Sequence, residues 1–350
     1  MLGRFRKNKS QEDNEGEMSF SISATLFDGT NQKHRASVCL KPGLQGLHRI
    51  GAFVGMNGTG KTKILNAITI EIAGINQING IKLDIKIEPK RPDFSRVFSS
   101  TFSSIDTEVF KEINFPEHCF LISITNRHES HKSNISLDAA LKAIAGSEEI
   151  KSKLNTYIKI LLGMDSSEYT NETVKKLLET EVNEFYDPSR RISGLSSGQK
   201  ALVVFFVKLV SHLRDKSLIL LDEPETHLHP AYIIRLFRAL SMVCEDFNSY
   251  ILLSTHSPLI IQNLPRQNIS IMRLIDGIPS TTTPVIETFG ESSNRIVEEI
   301  FGIIEENTFY RDILQLPECR DESGISREFP SGLGFRAKTV WETLRKSTEQ

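Results

Sequence analysis

The feature that most constrains this chain is an eight-residue stretch, Gly55-Met56-Asn57-Gly58-Thr59-Gly60-Lys61-Thr62, which fits the pattern G-x4-G-K-[ST]. Before it stands an apolar run, residues 50–54; after it Ile64, Leu65, Ile68, Ile72 and Ile75 recur at three- and four-residue spacing. The first run predicts a short buried strand and the second a helix, so the glycines must form the loop between them. Glycines let backbone N–H groups converge on phosphate oxygens. A lysine at position 61 meets the β- and γ-phosphates, and a hydroxyl at position 62 ligates Mg²⁺. The helix start adds its dipole to the same anion site. Asn57, Gly58, Gly60, Lys61 and Thr62 are therefore the candidate nucleotide-binding residues.

Composition narrows the class of protein. The 350 residues suggest one large domain or two modest ones. Lys+Arg 42 against Asp+Glu 44 gives −2, so no global charge draws the chain to nucleic acid or to an anionic membrane. Hydrophobic residues at 39% and charged residues at 25% exclude wholesale disorder. The apolar run Ala201 to Val207 falls far short of the roughly 20 residues of a membrane helix. The start, Met1 to Lys7, is basic without an apolar region behind it, so no secretory signal is expected. Cys39, Cys119, Cys244 and Cys319 form no CxxC pair, which excludes a zinc ribbon and a disulfide scaffold and suits a reducing cytosol. A cytoplasmic protein is the expectation.

Along the chain, residues 1–17 read as a mobile tail. Period-two alternation predicts strands over 19–27 and 81–87, with 35–40 as the partner of the first. Residues 118–125 and 217–221 read as buried strands, and 250–253 as another. The segment 90–116 is rich in Ser, Phe and Pro with weak periodicity, and 137–186 is helical in period without a sustained heptad. Residues 199–214 predict a strongly apolar helix; after about 285 the pattern is short helices and loops. No repeat of 20–50 residues is present.

The strand over 217–221 runs into Asp222-Glu223-Pro224. A buried strand delivers such carboxylates to its C-terminal edge, where α/β proteins bind ligands. There Asp222 would hold Mg²⁺ through water and Glu223 would polarise an attacking water. Between loop and acids stands Leu195-Ser196-Ser197-Gly198-Gln199, 27 residues before Asp222. Ser and Gly at a helix start are ordinary capping residues. The stretch also resembles the signature motif of ABC-type ATPases, LSGGQ, with Ser197 in place of a glycine. Ser254-Thr255-His256-Ser257-Pro258, with His256 33 residues beyond Glu223, resembles that family's switch-histidine loop. The loop form GxNGxGKT belongs to the same family.

The stretches 222–230 (Asp-Glu-Pro-Glu-Thr-His-Leu-His-Pro) and 255–258 resemble the RecF/SMC/OLD-like branch of ABC-type ATPases rather than transporter subunits. Residues 264–269, 287–292 and 300–302 are similar to stand-alone anti-phage defence ATPases, of which the PtuA (Septu) and AriA groups are the nearest. The resemblance covers 18–75 and 190–302. It implies ATP and Mg²⁺ as cofactors, Thr62 and Asp222 as metal contacts, and Glu223 and His256 as catalytic residues. It implies that Ser196, Ser197, Gly198 and Gln199 act in trans on the nucleotide of a second copy. One departure stands out: the family's Q-loop glutamine should follow the strand over 118–125, where Asn126-Arg127 stand, leaving Asn126 as the candidate. Phe27, His34 and Arg35 are the candidates for an adenine contact.

Weaker signals read as structure. His227-x-His229 lies in the loop that contacts the opposite subunit in this family, and lacks a third metal ligand. Arg127 to Lys132 read as a solvated loop, Arg190-Arg191 as a surface pair, and Arg320-Asp321-Glu322 with Arg327-Glu328 as a cluster without a histidine partner.

The expected fold is an α/β ABC-type P-loop ATPase with a RecA-like core and an antiparallel edge sheet. The core spans 18–89 and 193–302, a mainly helical insertion 90–192, and a C-terminal segment 303–350. The expected function is ATP hydrolysis within a bacterial anti-phage defence system. Partners would be a second copy, head to tail around ATP, or a higher homo-oligomer, and a separate effector, a nuclease in the first instance; nucleic acid stays open and a membrane is not expected. A DNA-repair or recombination ATPase is the alternative, and a transporter's nucleotide-binding subunit ranks below it. Phe98, Phe102, Phe110, Phe329, Phe335 and Trp341 look exposed in the sequence; packing against the ATPase core accounts for most of them, and Trp341, flanked by Lys338 and Arg345, is the candidate docking anchor.

Overall fold

A computed structural model describes residues 20–27, 33–41, 44–75, 82–88, 93–101, 115–123, 134–163, 194–226, 228–275, 278–302 and 309–348. The expected tail 1–17, Asn126, Arg127 to Lys132, Arg190-Arg191, His227, Phe102 and Phe110 lie outside these residues.

Two sheets and the helices between and beside them make the larger of two compact units, Met1–Ser293. Strands β1 (Phe20–Phe27), β2 (Lys33–Leu40) and β4 (Lys82–Glu88) form an antiparallel sheet in the order β2-β1-β4. This is the antiparallel edge expected from the alternation. The main sheet contains β3 (Ile50–Val54), β5 (Val97–Thr101), β6 (Cys119–Ser123), β7 (Leu218–Asp222), β8 (Tyr250–Thr255), β9 (Ile269–Ile275) and β10 (Ile278–Thr282). Its order is β10-β9-β3-β8-β7-β5-β6, parallel throughout except for the β9–β10 hairpin. β3, β7 and β8 are buried at every position, which is why they read as continuous apolar runs rather than as alternating ones.

Helix α1 (Lys61–Ile72) lies between the two sheets. Ile64, Leu65, Ile68 and Ile72 share one core cluster with Ile22, Val38 and Leu40 from the antiparallel sheet and with Phe53, Leu218, Leu220 and Leu252 from the main sheet. A helix so covered is apolar nearly all round, and Ala67, Thr69 and Ile70 are buried as well. Helices α2 (Leu137–Ala145) and α3 (Glu148–Leu162) pack against α4 (Ser197–His212), and α3 also against α5 (Pro230–Asp246), which the short α6 (Pro258–Ile261) follows in the chain. Tyr157 of α3 is fully buried, its ring 6.0 Å from that of Phe206, and its hydroxyl donates to Asp246 Oδ2 at 2.6 Å. Burial, reinforced by that carboxylate, raises the Tyr157 pKa far above the usual phenol range.

The segment 90–192 needs a correction. Its described helices are α2 and α3, yet β5 and β6 inside it are strands of the main sheet. β5 gives no periodic signal because it is buried by pairing on both sides: Phe98 is fully buried and stacks on Phe120 at 5.2 Å, and Ser100 Oγ donates to the Ile122 carbonyl at 2.9 Å. The β9–β10 hairpin was equally unanticipated.

The second unit, Asn294–Gln350, contains α8 (Phe309–Leu314), α9 (Glu322–Glu328) and α10 (Phe335–Thr348), and most of α7 (Ser293–Phe301). Here the expectation for Trp341 fails. Its ring is 8% exposed in a small core with Leu314, Cys319, Ile325 and Val340, and its Nε1 donates to the Cys319 carbonyl at 2.6 Å. A unit this small must bury its largest side chain to hold together, so the tryptophan anchors the unit and not a partner. Phe329 packs partly against the same core; Phe335 is 87% exposed as expected. Asp321 caps α9 by accepting from Gly324 N at 2.7 Å, which gives the late charged cluster a structural role. Among the described residues, no helix is long and apolar enough to cross a membrane. Trp341→Ala is expected to cost about 3–5 kcal/mol. Limited proteolysis should then cut within 294–350 far faster than in the wild type, while the rate of cutting before residue 294 is unchanged.

Candidate active site

β3, β8 and β7 are adjacent and parallel, with Val54 paired to Thr255 and Asp222 to Ser254. Their C-terminal ends therefore open on one edge, and each feeds a loop that the sequence singled out.

After β3 the loop turns at Gly58 (φ 84°) and Gly60 (φ 92°), conformations open to glycine at no steric cost. Gly60 is the N-cap of α1 and offers no side-chain acceptor to its first N–H groups. Such an uncapped helix start suits an anion. Thr59 closes the turn through Oγ1 to the Met56 carbonyl at 2.8 Å, while Met56, Asn57 and Gly58 are exposed. Buried Lys61 lies across the loop, Nζ donating to the carbonyls of Gly55 (2.9 Å) and Met56 (3.1 Å), 3.7 Å from Glu223 Oε1.

Asp222 ties the three strand ends together. Thr62 Oγ1 is 3.0 Å from both of its carboxylate oxygens, and Ser254 Oγ donates to Oδ1. Thr62 and Asp222 form an all-oxygen pair of the hard kind that Mg²⁺ prefers. Glu223 follows at φ 44°, a left-handed conformation that a non-glycine residue adopts only when its surroundings hold it there. Its N–H does so, bonding to the Ser254 carbonyl (3.2 Å) and to Ser254 Oγ (3.1 Å). The consequence is a carboxylate turned to meet His256 Nδ1 at 3.3 Å.

A residue without an assigned role in the sequence reading completes the cluster. Glu225 is buried; its Oε1 accepts from Thr255 Oγ1 (2.5 Å) and His256 N (3.0 Å) and lies 3.7 Å from His256 Nδ1. Burial pushes its carboxyl above the ordinary range, against the hydrogen bonds from Thr255 and His256 that pull it down. Ser254 and Thr255 also went unassigned. The available signal was two hydroxyl residues at the end of a strand otherwise apolar through Leu253.

The signature stretch forms its own hydrogen-bonded group at the start of α4. Ser196 caps α4 in a reciprocal box: Oγ accepts from Gln199 N (3.3 Å), and Gln199 Oε1 accepts from Ser196 N (2.8 Å). Gln199 Nε2 then donates to the Tyr232 hydroxyl at 2.5 Å. Gln199 is thus held by its own chain, whereas Ser196 and Ser197 are exposed and the Ser196 O–H remains a donor. His229 caps α5, Nδ1 accepting from Ala231 N at 3.2 Å.

The fold is the α/β P-loop ATPase fold. Residues 165–262 match a family model described as "AAA domain, putative AbiEii toxin, Type IV TA system"; they include the signature stretch, Asp222, Glu223 and His256. Protein ea59 of Escherichia phage lambda is 27% identical over 328 residues, covering 84% of this chain and 62% of the phage protein. The chain thus spans 62% of that relative's length. An uncharacterized ABC transporter ATP-binding protein/permease of Saccharomyces cerevisiae is 23% identical over 62% of this chain and 14% of the yeast protein. Among solved structures, an ATP-binding cassette of an ABC transporter in its ADP conformation overlaps with a TM-score of 0.39 at 13% identity, over 81% of this chain and 96% of that one. A part of the ABC transporter complex cbiONQ from Clostridium perfringens overlaps with a TM-score of 0.42 at 16% identity, over 89% and 98%. Strand order and loop positions, not these overlaps, define the fold here.

Gly55 tests the loop geometry. A Cβ there would press on the Met272 carbonyl oxygen and lie 2.8 Å from Thr59 Oγ1. Gly55→Ala should displace the loop from β9, lowering thermal stability and nucleotide affinity together in a calorimetric titration.

Proposed function

We propose that this chain is an ABC-type ATPase that binds Mg²⁺-ATP, hydrolyses it to ADP and phosphate, and works in anti-phage defence by holding or gating a separate effector. The observation that carries the enzymatic part is the convergence of Lys61, Thr62, Asp222, Glu223 and His256 on one sheet edge beside an uncapped helix start.

In this reading the α1 N–H groups and the glycine loop cradle the phosphates. Lys61 leaves the carbonyls of Gly55 and Met56 for the β- and γ-phosphates, which also frees Glu223 from its nearby charge. Thr62 and Asp222 would hold Mg²⁺, whose charge offsets that of the phosphates. Glu223 accepts a proton from the attacking water, and His256, 46% exposed at its side chain and in contact with Glu223, orients that carboxylate and faces the γ-phosphate.

Dimerisation is part of the proposal. The Ser196 hydroxyl at the exposed start of α4 remains a donor, and its contacts among the described residues are local to that helix. A second copy placed head to tail would bring it and the helix start to the γ-phosphate, where they neutralise charge that grows in the transition state. Ser197 and Gly198 allow the close approach, and Gln199 keeps the cap rigid.

The defence role draws support from the toxin–antitoxin description of the matched family model and from a phage-encoded relative. The loop over 222–230 and Ser257-Pro258 after His256 favour this branch over a transporter subunit. For an effector, the helical unit 294–350 offers Phe309 and Phe335, 77% and 87% exposed.

Glu223→Gln keeps shape and loses the base. ATP should bind as in the wild type while turnover falls about 10²–10⁴-fold; Lys61→Ala should lose ATP affinity instead. Unchanged turnover in Glu223→Gln would remove Glu223 from the role of base. Specific activity should also climb as protein concentration carries the chain from monomer to dimer by light scattering, and a flat profile across that range contradicts the head-to-tail arrangement.

A further inference from the structure

Glu225 is 6% exposed, three positions beyond Asp222, and the contacts it receives from Thr255 and His256 fall on one oxygen. Oε1 receives the Thr255 hydroxyl at 2.5 Å and the His256 N–H at 3.0 Å, and faces His256 Nδ1 at 3.7 Å. Among the described residues, Oε2 is buried with no hydrogen-bond partner. Thr255 Oγ1 in turn accepts from Ser257 N at 3.0 Å, so the backbone on both sides of the histidine is tied, directly or through one hydroxyl, to this carboxyl group.

We propose that Glu225 is a positioning residue, which fixes the backbone and ring of His256 so that its Nδ1 stays against Glu223. The inference deepens the ATPase reading and rests on it for the roles of Glu223 and His256. Nδ1 lies 3.3 Å from Glu223 Oε1 and 3.7 Å from Glu225 Oε1, so the ring nitrogen that faces the two acids is the one that carries hydrogen. Nε2 is then the nitrogen left for the nucleotide side.

The uneven use of the two oxygens says more. A buried carboxylate with one bare oxygen would carry an uncompensated part of its charge. The oxygen that does the holding is Oε1 alone, the acceptor for the Thr255 hydroxyl and the His256 N–H. What holds His256 is an acceptor of the right shape at Oε1, and glutamine is its isostere.

The test compares steady-state ATP turnover of the full chain with that of Glu225→Gln, Glu225→Met, His256→Ala and the double variant Glu225→Met/His256→Ala. Methionine fills the space and removes the acceptor. Glu225→Met should lower kcat about 10–100-fold, as expected of a misplaced catalytic group, with KM for ATP held within about threefold. Glu225→Gln should stay within about threefold of the wild type in both, because it presents the same carbonyl oxygen. In the His256→Ala background, Glu225→Met should cost nothing further, since the two changes remove the same interaction. Wild-type kcat in Glu225→Met, failure of Glu225→Gln to rescue, or full additivity with His256→Ala each overturns the proposal. A second readout does not need hydrolysis: the imidazole nitrogen resonances of His256 should move in Glu225→Met and stay in place in Glu225→Gln. If the wild-type chain hydrolyses no ATP, the ATPase reading fails by itself, and the resonances decide the positioning role; resonances unmoved by Glu225→Met reject it.

Discussion

The parallel pairing of β3, β8 and β7 is the constraint on which the rest of the molecule depends. Val54 pairs with Thr255 and Ser254 with Asp222, so three strands end level with one another. A slip of one residue would reverse every side chain on a strand. Asp222 would then lose the hydroxyls of Thr62 and Ser254, and Glu223 its backbone tie to Ser254. Strands buried at every position resist that slip, because none has a solvent face on which to hide the error. The apolar core thus sets the register, and the register sets the polar site.

Above that edge the polar groups hold one another. Asp222 takes hydroxyls from the first turn of α1 and from β8. Glu225 takes a hydroxyl and an N–H from the end of β8 and the loop beyond. In a buried setting each such bond counts for more than in water, and each unmade one costs more. Two carboxyl groups from one loop thereby clamp both neighbours of that loop, while Glu223 between them is left partly exposed and in a left-handed conformation. A strained residue flanked by carboxyl groups bonded to both neighbouring segments is the arrangement expected where a side chain must be aimed rather than merely packed.

Much of this was legible from sequence. Gly55 to Thr62 announced its loop because its residue types have few other uses, and 50–54, 118–125, 217–221 and 250–253 read as strands from unbroken apolar runs. β5 did not, because Ser99 and Ser100 are buried polar residues whose bonding cannot be seen in a linear pattern. Trp341 was misread for a related reason. A lone tryptophan among charged residues looks like a surface anchor until α8, α9 and α10 close over it. Glu225 stood in plain view beside Asp222 and Glu223 without a role, since nothing local to residue 225 says that Thr255 and His256 will fold back upon it.

The sequence by itself determined the phosphate loop, the acidic strand end, the capped helix at Ser196 and the alternating edge strands. Each is a local matter of residue type and spacing within a few positions. Tertiary structure decided the neighbours: that β8 lies between β3 and β7, that β5 and β6 extend the same sheet, and that Glu225 meets His256 while Gln199 meets Tyr232. Those contacts join residues some 30 positions or more apart, and only the burial of a shared core selects them from the many pairings that local propensity leaves open.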